Sequence, residues 1–368
     1  MKLYRGSSPR PIINYVTTDK NGLNWIKIGD MPSTGNRVFF CKERINKEGS
    51  KKSRAVYKGD IILSNSMSFG KPYILEIDGF IHDGWFVIRD YQNYIDKSYL
   101  CQLLSADVVQ NQYKSTAAGG VVKNISSDLV NSVKFHLPSI MEQRKIAKFL
   151  ELIDQKIEVQ IKIISDYNSL KKGIIQHIFN ANHEFPNAHL KIVLKEISQK
   201  NKNRDNIDVL SVSNSFGFIK QSEHFEDREI ASADTSNYKI VNKNEYAYNP
   251  ARINVGSIAR LKNCDCGIVS PMYTIFEIDV SKITYEYFDL FLQSSTFQEQ
   301  LNQRLEGSVR QCLSFTSMQN IIINLPPLKK QIEISDKMKF IDSKIKVESD
   351  CLNLLKTEKD YLLKNMFI

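Results

Sequence analysis

The side chains best suited to chemistry in this 368-residue sequence lie in five short polar stretches. Three are Arg5-Gly6-Ser7-Ser8-Pro9-Arg10, Ser64-Asn65-Ser66-Met67-Ser68-Phe69-Gly70-Lys71 and Gly119-Gly120-Val121-Val122-Lys123. The others are Asn249-Pro250-Ala251-Arg252-Ile253-Asn254-Val255-Gly256-Ser257 and Gly307-Ser308-Val309-Arg310-Gln311. Arg, Asn and Gln can bond two-pronged to guanine or adenine edges, while Ser, Lys and the backbone amides of glycines suit phosphates. A lone Ser/Asn/Gly cluster is more often a plain turn. Recurrence adds weight, because 249–257 occupies the position of 64–71, and 307–311 that of 119–123, with different residue types. The candidate DNA contacts are therefore Arg5, Ser7, Ser8, Arg10, Ser64, Asn65, Ser66, Lys71, Gly119, Gly120 and Lys123 in the first half. In the second half they are Asn249, Arg252, Asn254, Ser257, Gly307, Ser308, Arg310 and Gln311.

Catalytic groups are not found at useful spacings. There is no G-x-x-x-x-G-K-[ST] phosphate loop, no strand-linked G-x-G-x-x-G, no H-E-x-x-H and no G-x-S-x-G. A metal-dependent nuclease wants an acidic residue two before a lysine, beside a second carboxylate. Glu-x-Lys is absent, and Asp154-x-Lys156 and Asp342-x-Lys344 fall inside helical patterns. Asn249-Pro250-Ala251-Arg252 lacks the second proline and the aromatic of an adenine-methyltransferase tetrad. Cys264 and Cys266 have no partner pair for a zinc site, so no metal is expected and the six cysteines read as free thiols.

What must position the polar stretches is a duplication at an offset of 188. Residues 137–179 align without a gap with 325–367, and 11 of these 43 pairs are identical, among them Gln143/Gln331, Ile153/Ile341, Asp154/Asp342, Lys156/Lys344 and Val159/Val347. A unit this long is a two-copy duplication, not a solenoid repeat. Each copy carries apolar residues at steps of three and four, the stripe of a long amphipathic helix near a coiled-coil seam. The seam, which is also expected to dock partners, is Ile146, Leu150, Ile153, Ile157 and Ile164 in one copy and Ile334, Met338, Ile341, Ile345 and Leu352 in the other. Both copies interrupt the stripe at one place, with Gln160 and with Glu348-Ser349. About 40 residues at 1.5 Å each predict a rod of roughly 60 Å.

Ahead of each helix lies a mixed segment. Asp60–Leu63, Trp85–Ile88, Trp25–Ile28, Tyr273–Phe276 and Ile321–Ile323 read as strands, and Tyr99–Leu104 and Tyr285–Leu301 as helices. The expected class is α+β: globular domains at 1–136 and 181–324, each followed by a long helix at 137–180 and 325–368, with a hinge near 180–187. The second domain opens with His189–Ile197, which has no evident match before Arg5, so an opening segment is expected to be missing from the first domain or filled from elsewhere. No stretch approaches the ~20 apolar residues of a membrane span, and the start lacks the apolar run of a secretory signal. A protein of the reducing cytoplasm is expected. The net charge of +9 is uneven: residues 1–136 hold 19 cations against 12 carboxylates, and 180–324 hold 15 against 17. A basic balance favours a polyanionic partner.

The pattern resembles the specificity subunits of type I restriction–modification systems. The resemblance is carried by Gly59-Asp60-Ile61-Ile62-Leu63-Ser64 with Gly70-Lys71, by the Gly119…Lys123 and Gly307…Gln311 turns, and most by the Leu-Pro…Gln…Ile-Asp…Lys-Ile helices at 137–157 and 325–345. It implies two target recognition domains and two conserved helices packed as an antiparallel coiled coil, with a pseudo-twofold relation between the halves. It also implies a chain without catalytic residues, docked by two methyltransferase subunits and by restriction/translocase subunits. S-adenosylmethionine and ATP are then expected on those partners only. Since the two sets of loops differ, the expected target is duplex DNA read as two unlike half-sites. Two other readings stand beside this one. A duplicated coiled-coil scaffold for proteins should not shift duplex DNA even at low salt. A diverged standalone methyltransferase should bind its cofactor unaided.

Overall fold

The computed structural model describes residues 1–32, 34–65, 70–117, 125–180, 185–202, 207–221, 235–307 and 311–367. It divides into two compact units, Met1–Ile164 with Val347–Ile368, and Ser165–Lys346.

In the first unit every residue of strand Ile61–Ser64 is buried, so both of its faces meet a core. Period-two alternation sends Ile61 and Leu63, with Ile74, Phe86 and Ile88, towards Tyr99, Leu100 and Leu103 of helix Lys97–Ser105. Ile62, with Tyr73, Trp85 and Val87, enters a second core with Ile26, Val56 and Ile81. The strand is the centre of a five-stranded sheet ordered Lys2–Arg5, Trp85–Arg89, Ile61–Ser64, Pro72–Leu75, Arg37–Val38. A second five-stranded sheet, ordered Val16–Thr17, Glu43–Ile45, Leu23–Ile26, Gly79–Ile81, Arg54–Val56, packs on one face. Each such apolar side chain stabilises by roughly 1.5–3 kcal/mol when fully buried.

The second unit repeats the device. Its main sheet is ordered Leu194–Ile197, Thr274–Ile278, Tyr246–Tyr248, Ile258–Arg260. Tyr246 and Tyr248 face a helical core with Tyr287, Phe288 and Phe291, while Ala247 faces Leu210, Val241 and Val269. Lys2–Arg5 pairs antiparallel with Trp85–Arg89 as Leu194–Ile197 pairs with Thr274–Ile278, so the first unit fills that edge position from its own residues. Asn187–His189, paired with Ile322–Asn324, has no strand to match it at 133–139.

Two local expectations are corrected. Tyr285–Leu301 is not one helix: Ser294 accepts a hydrogen bond from the Phe297 amide and starts a second, so the elements are Tyr285–Leu292 and Ser295–Asn302. The strand at Trp25–Ile28 stops at Ile26, where the Asp30 carboxylate takes the Lys27 amide (2.8 Å) and turns the chain. Residues 181–184 of the expected hinge lie outside the described residues.

The long helices run Ile140–Phe179 and Leu328–Asn365. The identities between the copies are the residues that anchor them. Gln143 accepts from the Asp96 amide (2.9 Å) and donates to the Pro138 (3.0 Å) and Tyr94 (3.2 Å) carbonyls. Gln331 makes the same three contacts 188 residues on, with Thr284 (2.8 Å), Pro326 (2.8 Å) and Lys282 (2.9 Å). In the first unit Gln160 donates to the Glu348 carbonyl (3.0 Å) and Lys359 reaches Asp154 (2.5 Å), so the helical segments there are antiparallel. Lys171 and Asp342 (2.5 Å) make the equivalent pair in the second unit.

Leu150, Ile153 and Ile157 are buried in the first unit's core, with Ile146 and Leu352 packed against it. Met338 and Ile341 are buried in the second, with Ile334 and Ile345 packed against it. Ile164 is half-buried and joins neither cluster. These side chains close the seam and hold each recognition domain on its helices. Leu150, Ile153, Ile157, Met338 and Ile341 are buried there, while Ile146, Ile164, Ile334, Ile345 and Leu352 stay half-exposed.

Candidate nucleic-acid interface

In the first unit the Arg5–Arg10 loop is fixed by its backbone. Gly6 donates to the Trp85 carbonyl (2.8 Å) and Ser7 to that of Ile81 (3.2 Å). A Cβ on Gly6 would lie 1.9 Å from the His82 carbonyl oxygen, so only glycine fits. Asp83 gathers the loop: the Ser8 hydroxyl (2.8 Å) and the Arg10 guanidinium (2.9 Å) donate to its carboxylate, and Arg5 Nε to its carbonyl (3.4 Å). Chiefly the Ser8 bond, and then Arg10 against some desolvation, hold Asp83 below the usual carboxylate range. Arg5 and Arg10 are exposed, and Arg10 lines an open cleft of about 580 Å³ together with Trp25, Ile28 and His82.

In the second unit three loops meet. The Asn249 amide donates to the Ser257 carbonyl (3.1 Å), and Gly256 takes φ +91°, a left-handed value that favours glycine. The Leu313 amide donates to the Pro250 carbonyl (3.1 Å), tying that loop to the Glu306/Cys312 bridge. A Cβ on Gly256 would sit 3.2 Å from the Cβ of Asn214, in the turn of hairpin Leu210–Ser213/Gly217–Lys220. Arg252, Asn254, Gly307 and Gln311 are exposed here. Arg252 lines a cleft of about 310 Å³ with Ser211, Ser213 and Asn214. The hairpin turn was missed in the sequence; an Asn-Ser-Phe-Gly between two apolar alternations was its signal.

Four of the expected contacts are buried in this structure. Ser64 is fully buried, and Asn65 (4% exposed) donates to the Asp83 carbonyl (2.8 Å). Asn249 caps its own turn at the Ala251 amide (3.0 Å), and the Ser257 hydroxyl donates to the Val212 carbonyl (3.0 Å). Asn65 shapes its loop, while Asn249 and Ser257 also line the cleft beside Arg252. Lys71 is exposed as a residue, with its ammonium 5.2 Å from the Tyr73 ring centre; desolvation first, and Lys359 second, lower its pKa. Ser66, Gly119, Gly120, Lys123, Ser308 and Arg310 lie outside the described residues. Among the described residues no cluster could hold a metal ion, and no helix is long and apolar enough to cross a membrane.

A polar surface on each unit of a duplicated α+β frame suits a paired-domain DNA reader. The chain belongs to the type I restriction modification DNA specificity domain family, whose model matches residues 7–166 and 190–357. It is a specificity subunit, the non-catalytic component of such systems. It is similar to the putative type I restriction enzyme MjaX specificity subunit of Methanocaldococcus jannaschii, 25% identical over 342 residues, covering 83% of this chain and 76% of that protein. The MjaVIII specificity subunit of the same organism is 22% identical over 322 residues, covering 80% and 74%. Among solved structures, a chain from a study of type I R-M complex assembly and conformational transition has a TM-score of 0.64 at 15% identity, covering 98% and 96%. The type I S subunit of M. genitalium has a TM-score of 0.52 at 15% identity, covering 100% and 93%.

Proposed function

We propose that this specificity subunit reads an asymmetric, two-part duplex target, one half-site per unit. What supports this is that each unit of one duplicated frame presents a different set of polar side chains: Arg5, Ser8 and Arg10 around Asp83 in one, and Arg252, Asn254 and Gln311 around a hydroxyl- and amide-lined cleft in the other. Dissimilar donors and acceptors select dissimilar bases. Two methyltransferase subunits, and restriction/translocase subunits with them, bind S-adenosylmethionine and ATP and do the chemistry, in the cytoplasm. Their docking surface is the outer helix face. Val347, Leu354 and Tyr361 follow one another at seven-residue steps and are 61–72% exposed, with Leu152 and Val159 also exposed in the first unit. Such an apolar stripe suits a partner helix. Methylome sequencing of a host expressing the subunit with its methyltransferase tests the proposal. A split, non-palindromic modified motif is expected, and a palindromic motif, or none, refutes it.

A further inference from the structure

Residues 42–58 hold seven cations, Lys42, Arg44, Lys47, Lys51, Lys52, Arg54 and Lys58, against two carboxylates, Glu43 and Glu48. That is +5 of the +7 carried by residues 1–136, and all seven cations are exposed. Glu43 is engaged by Lys27, Glu48 by Lys51, and Lys58 approaches Glu76 (3.6 Å). Arg44, Lys52 and Arg54 lean on neutral groups, which leave their charge uncompensated. Arg44 donates to the Lys20 and Gly22 carbonyls, Lys52 to the Tyr15 hydroxyl (2.6 Å), and Arg54 Nε to the Arg5 carbonyl (3.1 Å). The Arg54 bond makes the basic surface continuous with the Arg5–Arg10 loop. Lys47 and Lys51, four apart in helix Lys47–Lys51, share one side of it. The second domain has no comparable excess, since residues 180–324 carry 15 cations against 17 carboxylates.

We infer that the surface formed by residues 42–58 is the phosphate-gripping site of the subunit, and that the two units divide the work. The first supplies most of the salt-dependent affinity for the duplex backbone, and the second reads with uncharged groups and Arg252. Duplex DNA carries one negative charge per ~1.7 Å of axis, and each neutralised phosphate adds about 0.9 to the slope of log affinity against log salt. Cations already oriented by neutral acceptors lose little side-chain freedom on contact. This inference rests on the DNA-reading proposal, and the test separates the two.

The full chain is titrated by fluorescence anisotropy with a mixed-sequence DNA duplex between 50 and 200 mM salt. Parent, K47Q/K51Q/K52Q and a control triple in the second unit, K191Q/K195Q/K243Q, are compared, each checked for fold by circular dichroism. The first triple should lower the slope by about 2.7, so that its affinity falls about 40-fold less than the parent's over this range. The control should keep the parent's slope. K42Q/K47Q/K58Q repeats the measurement on other side chains should the first triple fold poorly. An unchanged slope in the patch variants, or an equal drop in the control, overturns the inference while leaving DNA reading intact. Charge removal that weakens methyltransferase assembly but not duplex binding assigns the patch to a protein partner and also overturns it. A parent that binds no duplex at 50 mM salt, alone or with its methyltransferase, removes both.

Discussion

Gln331→Met tests the anchor at the start of the second long helix. Methionine nearly matches the glutamine in volume, so the cavity term is small and the loss reports hydrogen bonding. The fully buried Gln331 makes three such bonds, to the Thr284 amide and the Lys282 and Pro326 carbonyls, all between 2.8 and 2.9 Å. At about 1 kcal/mol each the loss is about 3 kcal/mol, and a Thr284 amide left buried without a partner pushes it higher. For a unit of this size that is a fall in melting temperature of roughly 6–12 °C. Hydrogen exchange resolves where it falls: the Thr284 amide and the Tyr285–Leu292 helix should lose protection, while Asp96 and Lys97–Ser105 in the other unit keep theirs. Gln143→Met should give the mirror pattern. A change below about 1 kcal/mol for both variants, or loss spread evenly over both units, refutes the idea that these glutamines are matched anchors.

Three further outcomes follow from named contacts. Lys359→Met should destabilise more than Lys171→Met, by about 1–2 against roughly 0.5 kcal/mol, because Asp154 is 16% exposed and Asp342 is 51% exposed; chemical denaturation of both variants checks the order. Gly256→Ala forces a left-handed backbone onto alanine and crowds Asn214, so about 1–2 kcal/mol and looser second-unit binding are expected, measured by denaturation and DNA titration. Asp83 has a folded pKa held below its unfolded value, so its contribution is present above about 4 and is lost as pH falls through the lower folded value. The Gly6 and Ser7 amides should therefore exchange faster, relative to the intrinsic rate, as pH drops below 4, and Asp83→Asn should abolish that dependence.

The helices were legible because their code is local. Stripes at steps of three and four, and identities such as Gln143/Gln331 and Asp154/Asp342, survive wherever the same contact must be made twice. The partners of those identities were not legible: Asp96, Tyr94 and Lys359 are brought close only by the fold. The polar loops were legible as segments, but which of their side chains are buried was not. A serine or asparagine in a turn has the same one-letter code whether it faces solvent, like Asn254, or is spent on a neighbouring carbonyl, like Ser257. The basic run at 42–58 was counted in the charge balance but not singled out. Lysines there sit among strands and a short helix, and only their common exposure makes a surface of them.

The units diverge most in how polar their shared frame is. Strand register equates Ile61 with Tyr246 and Ile74 with Arg260, and the offset of 188 equates Cys101 with Asp289. Where the first unit is apolar, the second largely buries Asp289 with the Tyr246 hydroxyl (2.8 Å) and Arg260 (2.8 Å), and the exposed Lys262 reaches it from outside (2.8 Å). Burial, and then Asp289, hold the Tyr246 phenol well above its usual pKa, so it stays a donor. Removing one member of a buried ionic cluster leaves the rest uncompensated, so Asp289→Cys should cost about 3–5 kcal/mol. Replacing the group together, as Y246I/R260I/D289C, restores the other unit's apolar solution and should fall within about 2 kcal/mol of the parent, less any mismatch in volume. Calorimetry on both variants decides. A triple as damaged as the single would mean that the second unit's packing has grown around its charges and that the two frames are no longer interchangeable at this position.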